Sequence, residues 1–154
     1  MRQLLAVLRD ETADADLAPV SDLSRVAGLV ESARRAGVPV EVRDSEAVRT
    51  ASLPENVTVT AYRIIQESLS NVIRHAPGAR TRIGLDVEGS DLILSVVNDE
   101  ATQRAQPMEA PGRATHGLAG MHERARLLGG SVETGARDQG GYRVVARLPI
   151  GGHE

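Results

Sequence analysis

The chain has 154 residues, no cysteine and a formal net charge of −3 at pH 7. That length suits one domain with a substantial core. The slightly acidic balance gives no reason to expect nucleic acid or an anionic membrane as a partner. Because cysteine is missing, a disulfide, a thiolate nucleophile and a cysteine-ligated zinc or iron–sulfur site are excluded.

All 18 residues counted as lysine or arginine are arginine. A chain without lysine cannot use the P-loop lysine, the strand lysine of eukaryotic-type protein kinases or Schiff-base chemistry. The aromatic residues are Tyr62 and Tyr142 alone, which argues against a surface that stacks nucleic-acid bases. No apolar run is long enough for a membrane span and the N-terminus lacks a signal-peptide pattern, so we expect a cytoplasmic chain, whether or not a parent protein is anchored in a membrane.

The N-terminal part predicts a helix end, a linker and then one domain. MRQLLAVLRD carries leucine and valine at helical spacing, and the acidic stretch ETADADLAP follows it. We therefore interpret residues 1–16 as the end of a longer helix with a linker, residues 17–150 as the domain and residues 151–154 as a tail.

The domain begins with a predicted helix and strand. Ser21 is a candidate N-cap for a helix that runs to Gly37. The segment VPVEVR, from Val38 to Arg43, alternates as a half-buried strand does.

A second helix is predicted in AYRIIQESLSNVIRHAPG, residues 61–78. Its polar side includes Glu67, Asn71 and Arg74, which the spacing of three and four residues places on one stripe. Such a stripe is either bathed in water or lines a cleft. The opposite, apolar face is formed by Ala61, Ile64, Ile65, Leu69, Val72, Ile73 and Ala76.

The second half of the chain predicts two hairpins around a loop and a helix. TRIGLDV and DLILSVV form the first hairpin, and from Asp99 to Thr115 the periodicity is lost, as in long loops that are functional or disordered. HGLAGMHERARLLGG predicts an amphipathic helix, and SVET pairs with YRVVARLPI. The pattern predicts an α+β fold, a two-layer α/β sandwich with a mixed sheet of about five strands and about three helices on one face.

The polar stripe offers ligands that suit a magnesium ion bridging nucleotide phosphates, because this ion takes few protein ligands and prefers hard oxygen donors. The side-chain carbonyl of Asn71 meets that need. Glu67 could orient or accept a proton, and Arg74 and His75 could offset phosphate charge. The alternative is a polar helix face that is merely solvated.

A second candidate motif is THGLAGM, residues 115–121. Its glycines stand before a helix and after the predicted loop, where small residues let the backbone approach a ligand and helix N-terminal amides favour phosphate. The alternative is an ordinary helix start whose glycines serve a turn.

Taken in order, the asparagine-bearing helix, the loop, the glycine box and the closing hairpin resemble the ATP-binding catalytic domain of bacterial two-component sensor histidine kinases. This domain belongs to the GHKL, or Bergerat-fold, superfamily, which includes gyrase and Hsp90 and binds nucleotide without a P-loop. YRIIQESLSNVIRHA and HGLAGMHERARLLGGSVE are similar to the nitrate-sensor-like subgroup, which is paired with helix-turn-helix response regulators. The resemblance runs from about Leu17 to Ile150, and MRQLLAVLRD is similar to the tail of the preceding dimerisation helix.

The resemblance implies that ATP and Mg²⁺ are the cofactors. It implies that Asn71 coordinates Mg²⁺, that Glu67 assists at the phosphoryl site and that Arg74 and His75 lie near the phosphates. Residues 99–115 would be the ATP lid, which closes over nucleotide. The other implied cofactor-binding residues are Asn98, Asp99, His116, Gly117, Leu118, Gly120 and Met121.

The chain departs from the family in the adenine box, D-x-G-x-G, whose aspartate accepts a hydrogen bond from the adenine amino group. Here the segment reads VVNDEAT, so Asn98 takes the aspartate position, and Asp99 is the alternative if the register shifts by one. Glu100 and Thr102 replace the two glycines, and Thr115 replaces the first glycine of the second box. An amide lacks the charge and can turn its other end to the base, so we expect weaker or altered adenine recognition.

The implied activity is transfer of the γ-phosphoryl group of Mg-ATP to a histidine on a separate dimerisation helix of the same kinase. That parent kinase would be a homodimer that signals to a response regulator. His122 stands outside the family's acceptor context, so we expect no acceptor histidine in this chain. Two alternatives remain: a non-catalytic docking or regulatory module with a degenerate adenine box, and a serine kinase of the anti-sigma type, which the RHA and GLAGMHERARLLGG segments disfavour.

Overall fold

The computed structural model describes residues 25–103 and 111–151, with the backbone alone described at residues 111–116 and 118. The predicted helix end and linker at residues 1–16, the candidate cap Ser21 and residues 152–154 of the tail lie outside the described residues. The elements are α1 (Val26–Arg35), β1 (Val40–Asp44), α2 (Glu46–Thr50), α3 (Glu55–His75), β2 (Thr81–Glu88), β3 (Asp91–Asn98), α4 (Pro111–Leu127), β4 (Ser131–Ala136) and β5 (Tyr142–Pro149).

The five strands form one mixed sheet in the order β1-β2-β3-β5-β4. β1 and β2 are parallel, and every other neighbouring pair is antiparallel. The parallel pair is possible because α2 and α3 lie between β1 and β2 in the chain and supply the crossover that parallel strands require. The predicted mixed five-stranded α+β fold is confirmed.

The helices cover one face of this sheet. In the register of the central strands, Val96 pairs with Ile83 on one side and Val144 on the other, and all three are buried. Their neighbours of opposite parity, such as Ile93 and Val145, are only half-buried. The alternation of strand side chains thus points one apolar set at the helices and leaves the other face to solvent.

α3 is the central helix of the covering layer and packs against α1 and α4. Its apolar stripe includes Ile64, Ile65 and Leu69, each with 0% exposure. The helix has 21 residues and begins at Glu55, six residues before the predicted Ala61, behind an extended Pro54. The pattern missed these turns because Thr58 and Thr60 are buried although they are polar.

Two further differences concern the start of the domain. The described residues contain one helix that was not predicted, α2, where the Ser45 hydroxyl accepts a hydrogen bond from the Val48 amide at 3.3 Å. Its five residues are too few to display a helical period. The strand predicted from Val38 begins at Val40, and Val42 is 38% exposed on this edge strand of the sheet.

α4 begins at Pro111, five residues before the predicted helix start at His116. The last part of the predicted lid, 111–115, is therefore helical rather than irregular. Residues 104–110 of the lid lie outside the described residues.

Candidate functional site

A pocket of about 540 Å³ opens between α3 and the adjoining ends of β3 and β5. Part of its wall is apolar, and amide, carboxylate, imidazole and phenol groups complete it. The described residues that line it are Ser68, Asn71, Val72, His75, Ala76, Val96, Asn98, Asp99, Glu100, Ala101, Gly141, Tyr142 and Val144.

Asn98 is the last residue of β3 and is 6% exposed. Its parity is that of Val96, so the strand directs it to the helix-covered face, beside the pocket. Its Nδ2 donates a hydrogen bond of 2.8 Å to the main-chain carbonyl of Asp99. The side chain is therefore held locally and not free to rotate.

Asp99 follows on the other side of the strand end, where two arginines bind its carboxylate. Arg137 Nη1 donates to Asp99 Oδ1 at 3.0 Å and Arg82 Nη2 donates to the same oxygen at 3.2 Å. The hydrogen bond from Arg137 is the largest influence on the pKa of Asp99 and lowers it; partial burial opposes this, and Arg82 reinforces it. The same Arg137 nitrogen donates to the Asn98 carbonyl at 3.0 Å.

Glu100 and Thr102, which the resemblance assigns to the glycine positions of the adenine box, each pack against a glycine elsewhere in the chain. A Cβ built on Gly140 would overlap the Glu100 side chain, and one built on Gly78 would overlap the Thr102 hydroxyl. Both glycines also have positive φ, of 95° and 80°. Glycine is therefore required at these two positions, both by the positive φ and by the side chains that pack against them.

The polar stripe of α3 forms a connected group. Arg74 Nη2 donates to Asn71 Oδ1 at 3.0 Å and lies 3.8 Å from Glu67 Oε2. The Arg74 and Glu67 side chains are 25% and 31% exposed, so they are neither buried nor fully solvated. The predicted adjacency of Glu67, Asn71 and Arg74 is confirmed, and Asn71 also lines the pocket.

His75 lines the same pocket as Asn98, one turn beyond Asn71. Its Nε2 is buried and has no hydrogen-bond partner among the described residues. Burial lowers the pKa of His75, and the neighbouring Arg74 charge lowers it further. The imidazole therefore favours its neutral form at neutral pH and can offer or accept one hydrogen bond.

The second glycine box is the segment THGLAGM, and its residues Gly117 and Met121 contact α3 directly. A Cβ on Gly117 would overlap the Glu67 carboxylate, and the Ser68 hydroxyl lies 3.9 Å from Met121 Sδ. A Cβ on Gly120, by contrast, would have nothing within 4 Å. Among the described residues that line the pocket, none comes from α4.

The side chains of His116 and Leu118 lie outside the described residues. Of the predicted site residues that can be placed, Asn71, His75, Asn98 and Asp99 line the pocket. Gly117 and Met121 instead contact α3 beside it.

Several residues of the site were not predicted. Ser68 lies one position after Glu67, and its place on the boundary between the polar and apolar faces was the available signal. No sequence signal indicated Arg137 or Tyr142. They lie at the site because β5 pairs with β3, with Tyr142 opposite Asn98.

The family model of histidine kinase-, DNA gyrase B- and HSP90-like ATPases matches residues 56–152. The matched segment contains α3 from Asn56 onward, the pocket and the closing hairpin, and the chain therefore belongs to this family of ATPases. ATP is the nucleotide that domains of this family generally bind.

Three curated relatives are histidine kinases. Over 131 residues the chain is 32% identical to the sensor histidine kinase YxjM of Bacillus subtilis (strain 168), covering 83% of this chain and 30% of that protein. It is 28% identical to the sensor histidine kinase LiaS of the same organism, over 67% of this chain and 28% of the relative. The signal transduction histidine-protein kinase/phosphatase DegS of Brevibacillus brevis is 26% identical, over 63% of this chain and 24% of its own length. The chain thus spans less than a third of each of these relatives.

Solved structures agree on the fold. A blue-light activated histidine kinase from Erythrobacter litoralis EL346 superposes with a TM-score of 0.62 at 17% identity, covering 96% of this chain and 52% of that one. The catalytic domain of histidine kinase ThkA superposes with a TM-score of 0.56 at 11% identity, covering 94% of this chain and 92% of that one. None of the helices in the described part of the chain has the length and apolarity needed to cross a membrane.

Proposed function

We propose that this chain binds Mg-ATP between α3 and the ends of β3 and β5, and that it delivers the γ-phosphoryl group to a histidine on a separate dimerisation helix of a sensor histidine kinase. The observation that carries the proposal is one pocket lined both by Asn98, at the adenine-box position, and by Asn71 of the polar stripe. Membership of the ATPase family and the sensor-kinase relatives support it.

The pocket fits a nucleotide. Its volume of about 540 Å³ lies in the usual range for small-molecule sites. Val72, Val96 and Val144 give apolar surface for a base, while Asn98 gives a polar group at its edge. The unpartnered Nε2 of His75 is a buried polar atom that a bound ligand would satisfy.

The polar stripe fits a magnesium ion that arrives with the phosphates. Among the described residues no three histidine, cysteine, aspartate or glutamate side chains converge on one point, so most ligands of such an ion would be phosphate oxygens and water. Asn71 Oδ1 would be the protein ligand. Bound there, the ion would offset the negative charge that develops on the phosphoryl oxygens.

Arg74 and Glu67 would act beside the proposed magnesium position at Asn71. Arg74 Nη2 donates to Asn71 Oδ1 at 3.0 Å, and phosphate oxygens would attract the guanidinium away and free the amide oxygen. Glu67 would then orient the incoming imidazole or accept its proton, and the lid would exclude water. The backbone amides at Gly117 and Gly120 are proposed to approach the phosphates when the lid closes.

The remaining parts of the proposal concern the whole kinase. The subgroup is proposed to be the nitrate-sensor-like one, with a homodimeric parent kinase, a cytoplasmic location for this domain and a response regulator as the downstream partner. The chain alone is expected to autophosphorylate little or not at all, because the acceptor helix must be supplied.

A non-catalytic docking or regulatory module that binds nucleotide weakly or not at all is the second candidate. Two observations favour it: an amide stands in place of the adenine-box aspartate, and Arg74 already occupies the oxygen of Asn71. The two candidates differ first in their magnesium-dependent affinity for ATP, on which phosphoryl transfer depends.

Isothermal titration of the full chain with ATP, in magnesium and then in EDTA, tests the choice. Asn71→Ala should weaken binding in magnesium by about tenfold or more, equivalent to about 1.4 kcal/mol, and much less in EDTA. Asn56→Ala is the matched control, since Asn56 is an exposed residue of the same helix. Absence of ATP binding by the unmodified chain would contradict the proposed function and favour the docking module.

A further inference from the structure

An asparagine can present either of two faces to a purine. Its Oδ1 accepts a hydrogen bond and its Nδ2 donates one. Adenine carries an amino donor at the position where guanine carries an oxygen acceptor. A freely turning Asn98 would therefore recognise both bases, whereas an aspartate accepts with either oxygen.

The local hydrogen bonds decide which way Asn98 faces. Its terminal atom nearest the Asp99 main-chain carbonyl is 2.8 Å away, and a carbonyl oxygen only accepts. An amide oxygen at that distance would repel it, so the nitrogen must lie there. Oδ1 is then the atom of Asn98 left for a ligand in the pocket.

The Asp99 carbonyl that imposes this choice is itself anchored. The Asp99 amide donates to the Arg80 carbonyl at 2.9 Å, and the Asp99 carboxylate is bound by Arg82 and Arg137. Arg137 also donates to the Asn98 carbonyl, so one guanidinium group binds the main chain of Asn98 and the side chain of Asp99. The Arg137 side chain is only 19% exposed, which limits its freedom to leave.

We propose that Asp99 and Arg137 are positioning residues that lock the Asn98 amide with its oxygen toward the base, so that the pocket selects a 6-amino purine over a 6-oxo purine. This inference rests on the proposed nucleotide binding. It explains how an amide can replace the aspartate without loss of base selectivity. Base selectivity then depends on Asp99 and Arg137 as well as on Asn98, whose oxygen faces the base.

Affinities of the full chain for Mg-ATP and Mg-GTP, measured by calorimetry, provide the test. The unmodified chain should prefer ATP, and Arg137→Gln should reduce the ATP-to-GTP affinity ratio by about tenfold, the effect of one mispaired hydrogen bond. Arg147→Gln is the control, because Arg147 pairs with Asp91 and Glu88 at the far end of the sheet and does not line the pocket. It should leave the ratio unchanged.

The Asn98→Asp background distinguishes a positioning role of Arg137 from a general effect of the substitution on the fold. A carboxylate accepts with either oxygen, so in that background Arg137→Gln should no longer alter the ratio. If the ratio falls equally in both backgrounds, Arg137 supports the fold and the positioning role is overturned.

A measurement made without nucleotide tests the inference even if a variant binds neither ATP nor GTP. The Asn98 side-chain amide protons, followed by NMR, should exchange with solvent more slowly in the unmodified chain than in Arg137→Gln, with Arg137→Lys between them. Equal exchange rates in all three proteins would overturn the inference.

The outcomes distinguish the two proposals. Equal binding of ATP and GTP by the unmodified chain would overturn the base-selectivity inference and leave nucleotide binding intact. Binding of neither would overturn the proposed function and the inference with it.

Discussion

Asn98 and Asp99 show how adjacent residues at a strand end acquire different roles. Alternation along β3 directs Asn98 to the covered face and Asp99 to the other, where arginines from β2 and from the turn before β5 meet it. Both residues line the pocket, yet the carboxylate of Asp99 is already engaged. Of the two positions weighed for the base contact, Asn98 is therefore the one that we propose.

The Asp99 ion pairs predict a stability that depends on pH. The pKa of Asp99 is lowered in the folded chain from its ordinary value of 3.8, first by the hydrogen bond from Arg137. Its contribution to folding is thus complete above pH 3.8 and is lost as the pH falls through the folded pKa. Asp99→Asn should lower the melting temperature at neutral pH and make little difference in strong acid.

Thermal unfolding followed by circular dichroism across the acid range measures this. Asp138→Asn is the control, since Asp138 lies in the neighbouring turn and has no ion pair among the described residues. A melting-temperature difference between Asp99→Asn and the unmodified chain that stays constant with pH would contradict the assignment.

For the polar stripe of α3, the sequence left open whether the side chains face solvent or line a cleft. Helical spacing placed Glu67, Asn71 and Arg74 together, but a solvated face and a cleft face have the same pattern. In the structure the stripe is half-buried, and Arg74 donates a hydrogen bond to Asn71. On a fully solvated helix the same pair of side chains would interact only weakly.

At the scale of elements, the contact between α3 and α4 places the second glycine box. Gly117 and Met121 are four residues apart and therefore lie on one side of α4, where they meet Glu67 and Ser68. Gly120 is turned to open space. Two glycines of one motif thus differ in what surrounds them.

Alanine at these two positions should separate the roles. Gly120→Ala should raise the free energy of unfolding by about 0.5–1 kcal/mol, since alanine favours a helix interior and meets no obstacle. Gly117→Ala should gain less or lose stability, because its methyl group must displace the Glu67 carboxylate. Urea unfolding of the chain without nucleotide measures both changes.

Glu67→Ala provides the accompanying control. In that background the Gly117 methyl group has room, and Gly117→Ala should then stabilise as Gly120→Ala does. Equal gains at both positions in the unmodified chain would show that Gly117 does not pack on Glu67.

At the scale of the molecule, a single layer of helices on one sheet face accounts for the core. Leu92, Leu94 and Leu148 are each 0% exposed and belong to the covered face. The opposite face carries half-buried Ile93, Ser95 and other side chains that no described helix covers. Stability should therefore depend on the two faces very unequally.

Leu94→Ala and Ile93→Ala test this on adjacent residues of one strand. Leu94→Ala should lower the free energy of unfolding by about 2–5 kcal/mol, through lost burial and the cavity left behind. Ile93→Ala should cost at least about 1 kcal/mol less, since its side chain keeps contact with water in the folded chain. Chemical unfolding measures both, and equal costs would imply that the second face is also covered.

The order of helices and strands, the mixed sheet and the asparagine-bearing helix followed from the sequence, because local periodicity determines which faces are apolar. Short α2 and the early starts of α3 and α4 did not, since five residues show no period and buried threonines hide one. The adjacency of Glu67, Asn71 and Arg74 was likewise set by helical spacing alone.

Tertiary structure decided the rest of the site. The anchoring of Asp99 by Arg82 and Arg137, and the glycines that face Glu100 and Thr102, join residues up to 40 positions apart in the chain. Such pairs depend on sheet register and on where turns return the backbone, which no local pattern encodes. The sequence by itself thus determined which groups are available for chemistry, and the packing of sheet and helices determined which of them meet, because side chains distant in sequence become neighbours only when the core is formed.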